Sequence, residues 1–245
     1  GEVHIDLHAT PIKLETSNNI ELTYRHFEGD LGYMINVFYN RVNDYYYAAN
    51  TGLMIEAGHE HHDEEHHDEE HHEEEHHDEE HHEEEHHEEE HHDEEMLPIY
   101  RYQQSDVELL GVEAMTTYRI DDQWQVTAQF DSVSAKLVNG GYLPRIPPMR
   151  LGGHVEYTQN NWRGELNAMY HFEQEQTAHY EDHTDGYWMV DAMAEYQVPA
   201  WGEDTRVTLK LKNLFDESAR VHTSYLKNDT LLPSRSVELS VRTYF

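Results

Sequence analysis

Cysteine is missing from all 245 residues, which excludes a disulfide scaffold and any thiolate metal site. Positive charge is scarce. Sixteen lysines and arginines stand against 51 acids, for a formal charge of −35. No basic patch forms, so nucleic acid is excluded as a partner. No run of 18 apolar residues occurs, so no transmembrane helix is expected, and no signal peptide opens the chain. No nucleophile–base arrangement or phosphate loop stands out, so neither an enzyme nor an organic cofactor is expected.

Much of the acidity has one source. Residues 59–95 comprise 15 histidines and 22 acids; outside them 29 acids face 16 bases. From His61 to Glu95 the tract is seven copies of HHxEE, with x Asp or Glu. Imidazole nitrogen and carboxylate oxygen are both zinc ligands. The candidate ligands are His59, His61, His62, His66, His67, His71, His72, His76, His77, His81, His82, His86, His87, His91 and His92. Pairs such as His62 and His66 are four apart and would share a helix face. Successive copies, however, advance about 140° around a helix, so no single stripe forms. Without metal the carboxylates repel one another and favour an expanded, disordered coil. A spacer would need only Asp and Glu, so the histidines point to metal.

The rest of the chain alternates. In "SVELSVRTYF", Val237, Leu239, Val241, Thr243 and Phe245 share one face, opposite Ser236, Glu238, Ser240, Arg242 and Tyr244. Period two is the mark of a strand with one apolar face. The same holds for "WQVTAQFD", "WRGELNAMYHF", "YWMVDAMAEYQV" and "RVTLKLKNLF", and for segments near 18–27, 32–46, 99–119 and 149–159. Nine strands are expected, all-β, with tight turns ("EGDL", "DDQ", "NN", "PAWGED") alternating with long links at 48–98, 138–148, 174–186 and 216–234.

Two architectures fit: a soluble antiparallel sandwich and a transmembrane antiparallel β-barrel. The barrel is favoured by long strands, a polar face too charged for a protein core, and aromatics at strand ends (Trp124, Trp162, Trp188, Tyr170, Phe172, Tyr244, Phe245). Bacterial barrels close with an even number of strands, and an open edge strands backbone groups in hydrocarbon. Nine strands therefore read as the C-terminal part of a larger barrel, with the terminal Phe245 at its natural end.

The ordered landmarks "SNNIELTYRH", "INVFYNRVNDYYY", "LLGVEAM", "GYLPRIPPMRLGG", "EDHTDGYWMVDAMAEYQ" and "LKNLFDESARVHTSYLK" resemble the C-terminal half of a TonB-dependent outer-membrane receptor. With a His/acid-rich loop, the chain resembles the ZnuD-type zinc receptors in particular. The resemblance implies residues 1–245 as the last nine strands of a plugged barrel of about 22 strands. Residues 48–98 become a long disordered His/Asp/Glu-rich extracellular loop. It further implies the bacterial outer membrane as location, zinc as the transported or bound ion, membrane lipid as surroundings, and the TonB complex as partner through the N-terminal part. No TonB box or plug is seen in the chain, so energy coupling and the plug's share of a metal site rest on the resemblance alone.

On that reading the tract is a weak, multivalent collector. Ordering backbone costs roughly 1–2 kcal/mol per residue, so each tract site is weak, but the sites are many. The negative field also attracts cations. "HYEDH" adds His179 and His183, four apart beside Glu181 and Asp182, as a second ligand cluster; His4, His8 and His222 lie on the same outer side. By alternation His154 and His171 point to the lumen. Raw affinity at His and carboxylate sites favours Cu(II) over zinc, with Ni(II) close, so zinc comes from the resemblance and from the lack of Cys and Met clusters. The rival readings are a surface metal buffer or adhesin anchored by its barrel, and a receptor for a siderophore, haem or another metal.

Overall fold

A computed structural model describes residues 12–56, 96–201 and 205–243. Nine strands form one sheet in sequence order: β1 (Thr16–Glu28), β2 (Leu31–Glu56), β3 (Met96–Arg119), β4 (Trp124–Leu137), β5 (Arg150–Gln159), β6 (Trp162–His171), β7 (Tyr187–Gln197), β8 (Arg206–Lys212) and β9 (Ser236–Arg242). The paired registers are antiparallel, and among the described residues the only helical element is a single 3₁₀ turn, Pro199–Trp201. The nine expected strands are all present. Short and long connections alternate as the turn residues predict.

The strands sort their side chains as the alternation requires. One cross-strand row reads Val126, Val155, Leu166, Ala192, Leu211 and Val237. Its neighbour on the opposite face reads Thr117, Thr127, His154, Asn167 and Asp191. Two rows further along that face stand Glu113, Asp131, Arg150, His171 and Tyr187. Arg150 of this row donates to Asp131 at 2.9 Å, and at the short-turn end of the same face Arg163 donates to Glu156 at 2.6 Å. The His171 ring stacks on Tyr187 at 4.5 Å. His154 and His171 thus lie on the polar face, as alternation predicts.

The apolar face is exposed rather than packed: Leu22, Leu166, Leu239 and Val241 are each half or more accessible. Aromatic pairs bound it at both ends. Near the short turns Trp124 meets Tyr157 at 4.7 Å and Trp162 meets Tyr196 at 4.6 Å. Near the long connections Tyr170 contacts Trp188 at 5.1 Å and Phe172 at 4.8 Å. From Trp162 to Phe172 the ten-residue step spans about 33 Å along the strand. At a tilt of about 40° that becomes about 25 Å, the height of an outer-membrane barrel's apolar band. Tyr244 and Phe245 lie outside the described residues.

The chain divides into two units, residues 1–50 with 100–245, and residues 51–99. In the smaller unit the link expected from residue 48 begins later, because β2 stays extended to Glu56 and β3 starts at Met96. Within it Thr51 Oγ1 donates to the Ile99 carbonyl at 2.7 Å. The polar alternation of "AANTGL" gives no apolar stripe, which is why pattern alone stopped the strand short.

In the larger unit the long connections fold on the sheet's end. Val107, Ala135 and Leu143 are buried there with Tyr45, Tyr47, Leu109, Leu137 and Ile146 packed on them. "NLFDE" acts as a clasp. Asn213 N donates to Asp191 Oδ1, and the Asn213 side chain binds the backbone of Glu217 and Pro233 at 2.8–3.0 Å. Asn213 and Asp216 both take positive φ, 52° and 56°, a conformation Asn and Asp tolerate better than most residues.

Candidate functional site

The densest polar cluster among the described residues lies where the 138–149, 172–186 and 213–235 connections meet. Its centre is Glu181, whose side chain is only 8 % exposed. Oε1 accepts from the Arg145 amide at 2.8 Å and from Lys227 Nζ at 3.3 Å; Oε2 accepts from the Ala178 amide at 2.9 Å. Lys227 is itself buried and also donates to the Asp182 carbonyl at 2.5 Å. Asn228 Nδ2 reaches Asp182 Oδ2 at 2.7 Å. Three connections are thereby cross-linked through one carboxylate.

Burial opposes ionisation of Glu181. The His222 imidazole, the Ala178 and Arg145 amides and the Lys227 charge overcome it and hold the carboxyl down to about 2. Burial likewise pulls Lys227 below the usual lysine range; Glu181 and Asp182 pull it back, and Arg145 adds to the fall. The result is a fixed carboxylate beside an ammonium that burial penalises.

Arg145 links this centre to aromatic rings. Its guanidinium lies 3.8 Å from the Tyr225 ring centroid and 5.9 Å from that of Tyr100, and Nη2 donates to the Ala48 carbonyl at 3.1 Å. Tyr100 and Tyr225 meet edge to face at 5.3 Å. Arg145 and Tyr180 both hold positive φ, 58° and 60°, an uncommon conformation for bulky residues that the surrounding bonds sustain. A cavity of about 40 Å³ opens among Tyr100, Arg145, His179, Glu181, Tyr225 and Lys227.

His222 is 3 % exposed. Its Nδ1 lies 3.1 Å from Thr184 Oγ1. Its Nε2 stands 3.4 Å from Glu181 Oε1 yet makes no hydrogen bond. A buried polar atom without a partner is uncommon and calls for an explanation.

Of the ligands expected from sequence, His179 and His183 are both exposed, and His179 tilts against the Tyr180 ring at 3.8 Å. Glu181, between them, turns inward to Arg145 and Lys227, while Asp182 engages Asn228. Among the described residues no group of three or more His, Asp or Glu converges to hold a metal. The fifteen tract histidines, His59 to His92, and His4 and His8 lie outside the described residues. Sequence reading passed over Arg145, Tyr225 and Lys227 in this cluster. Each is an isolated residue in an irregular connection, and the one available signal was "LPRIPP", an arginine fixed among prolines.

A family model described as "TonB dependent receptor-like, beta-barrel" matches residues 7–214. Among solved structures the chain is similar in fold to a structure titled "Copper transporter OprC", at 15 % identity and TM-score 0.69, covering 94 % of this chain and 31 % of that one. It is also similar to the FrpB iron transporter from Neisseria meningitidis (13 %, TM-score 0.61, 95 % and 31 %) and to the ferric-catecholate import receptor Fiu from E. coli K12 (16 %, TM-score 0.56, 94 % and 28 %). The chain spans under a third of the length of these proteins. No helix among the described residues is long and apolar enough to cross a membrane, which says nothing about crossing by strands.

Proposed function

Because the chain belongs to the TonB-dependent receptor-like β-barrel family, an outer-membrane transport family, we propose that it is the C-terminal portion of a receptor that captures zinc at the cell surface and imports it to the periplasm with TonB-derived energy. The protein is a transporter rather than an enzyme. Barrels of this kind put short turns in the periplasm and long loops outside. That orientation makes the β2–β3 connection, and with it the tract, extracellular.

The observation that carries the reading is the tract's place in the strand order. Fifteen histidines and 22 acids interrupt the chain between β2 and β3, in the same series of long connections as the polar cluster around Glu181. A loop of about 50 residues has a coil span of roughly 40 Å. It raises the local zinc concentration, and a preorganised site at the loops and the remainder of the receptor takes the ion onward. His179 and His183, exposed on the 172–186 connection, are auxiliary ligands in this relay.

The test is growth under zinc chelation. Cells lacking the receptor should fail at limiting zinc. Cells with residues 59–95 deleted should grow at intermediate zinc and lag only when zinc is scarcest. If loss of the receptor leaves growth on chelated zinc unchanged but abolishes growth on an iron–siderophore, the cargo is a chelate and the zinc assignment fails. If antibodies to the tract do not label intact cells, the collector role fails.

A further inference from the structure

We infer that Glu181 and His222 form a divalent-metal site of their own, in which Lys227 stands as the resident cation that an incoming ion such as zinc displaces. The inference goes beyond the tract and beyond the exposed HYEDH histidines, and it deepens the metal-receptor reading by naming a built pair within the extracellular connections. It rests on four observations.

The first is the orphaned nitrogen. His222 Nε2 is buried, has no hydrogen-bond partner, and faces a carboxylate oxygen. Thr184 Oγ1, 3.1 Å from Nδ1, holds the ring with Nε2 turned toward Glu181. In the tautomer that carries its proton on Nδ1, the Nε2 lone pair and the carboxylate are free to share one cation. Fixing a histidine through its other nitrogen is how proteins prepare imidazole for metal.

The second is the spacing. Zinc binds imidazole nitrogen at about 2.0–2.1 Å and carboxylate oxygen at about 2.0–2.2 Å in tetrahedral geometry. The edge of such a tetrahedron is about 3.3–3.5 Å. Nε2 and Oε1 are 3.4 Å apart, the separation that two ligands of one tetrahedral ion require. Imidazole with carboxylate also disfavours calcium and magnesium, which take oxygen ligands.

The third is the competitor. Lys227 Nζ sits 3.3 Å from the same Oε1, with its side chain 7 % exposed. A metal ion on Oε1 supplies the positive charge instead, and the lysine swings away as ammonium. The fourth is access from the carboxylate side. Glu181 and Lys227 line one cavity of about 40 Å³, room for water beside an ion on Glu181.

The experiment is diffraction at the zinc absorption edge from crystals of the full receptor equilibrated with zinc. The expected result is an anomalous peak within bonding distance of both His222 Nε2 and Glu181 Oε1. It should vanish in His222→Gln and gain several-fold in occupancy at limiting zinc in Lys227→Met. In solution, Lys227→Met should melt earlier than wild type under chelation and recover with zinc, and the His222→Gln/Lys227→Met double variant should not recover. A merely structural cluster would give no such rescue. Bound zinc elsewhere with no peak at the pair, or Lys227→Met melting equally with and without zinc, overturns the site. These readouts are independent of transport: a peak at the pair in a receptor that fails to support growth on zinc would refute the uptake reading and keep the site, and the converse would do the opposite.

Discussion

Replacing Leu166 with arginine should destabilise the protein in a membrane far more than replacing its neighbour Asn167. Leu166 lies on the apolar face between Val155 and Ala192, is half exposed, and sits four residues above Trp162 and six below Phe172. Four residues are about 13 Å of strand, or about 10 Å of height at a tilt near 40°. That places the side chain close to the middle of a band about 25 Å tall. Arginine at mid-membrane costs about 2–4 kcal/mol, which lowers the folding constant by roughly one and a half to three orders of magnitude. Asn167 lies one residue on, opposite His154 and Asp191 on the polar face, where a guanidinium is hydrated and finds a carboxylate. There the change should stay within about 0.5 kcal/mol. Urea or guanidinium unfolding of the intact receptor in lipid vesicles measures both. Equal effects at the two positions would refute the assignment of the faces. So would a penalty at Asn167 alone.

The tract and the loops give further expectations. A peptide of residues 59–95 should bind several zinc ions and gain structure, read by circular dichroism; an unchanged spectrum in excess zinc would contradict coupled folding. Its zinc affinity should fall as pH drops through about 6.5, where imidazole protonates and stops ligating; equal isothermal titrations at pH 7.5 and pH 5 would contradict histidine ligation. In metal-free buffer the Glu181 cluster has its own pH dependence. The folded carboxyl lies near 2 against an ordinary 4.5, so its stabilisation is whole above about 4.5 and is lost as pH falls toward 2. The near-ultraviolet dichroism of Tyr100 and Tyr225 should report that loss in wild type and not in Glu181→Gln. Finally, Gly153→Ala should destabilise the sheet by about 1–3 kcal/mol, because an added Cβ would collide with the Thr127 carbonyl oxygen; unaltered unfolding would contradict the close β4–β5 approach.

The sheet was legible from residues 12 onward because its physics is local. Alternation such as Trp188, Val190, Ala192, Ala194 and Tyr196 against Met189, Asp191, Met193 and Glu195 fixes both the element and its faces. The pairing register then brings the like faces together, as in Tyr170 opposite Trp188. The connections were legible only as connections. Glu181 meets Lys227 across 46 residues, and no periodicity links them. "HYEDH" read as a four-ligand cluster because spacing alone suggests a shared face. In the structure the loop turns Glu181 inward and leaves the flanking histidines outside, since a carboxylate offered two amides and an ammonium gains more from them than from solvent. His222 could be placed from sequence only on the outer side with His4 and His8; burial, which sequence does not report, is what makes its Nε2 informative. The long β2 and β3 were underestimated for a related reason. Beyond the apolar band neither face need be hydrophobic, so the period-two signal fades while the backbone pairing continues.

Uptake of radioactive zinc by intact cells tests the central claim most directly. Cells carrying the complete receptor should accumulate the isotope in the periplasm above receptor-free controls, and an uncoupler of the proton gradient should abolish the difference. Equal accumulation with and without the receptor, or accumulation indifferent to the uncoupler, would contradict energised zinc import.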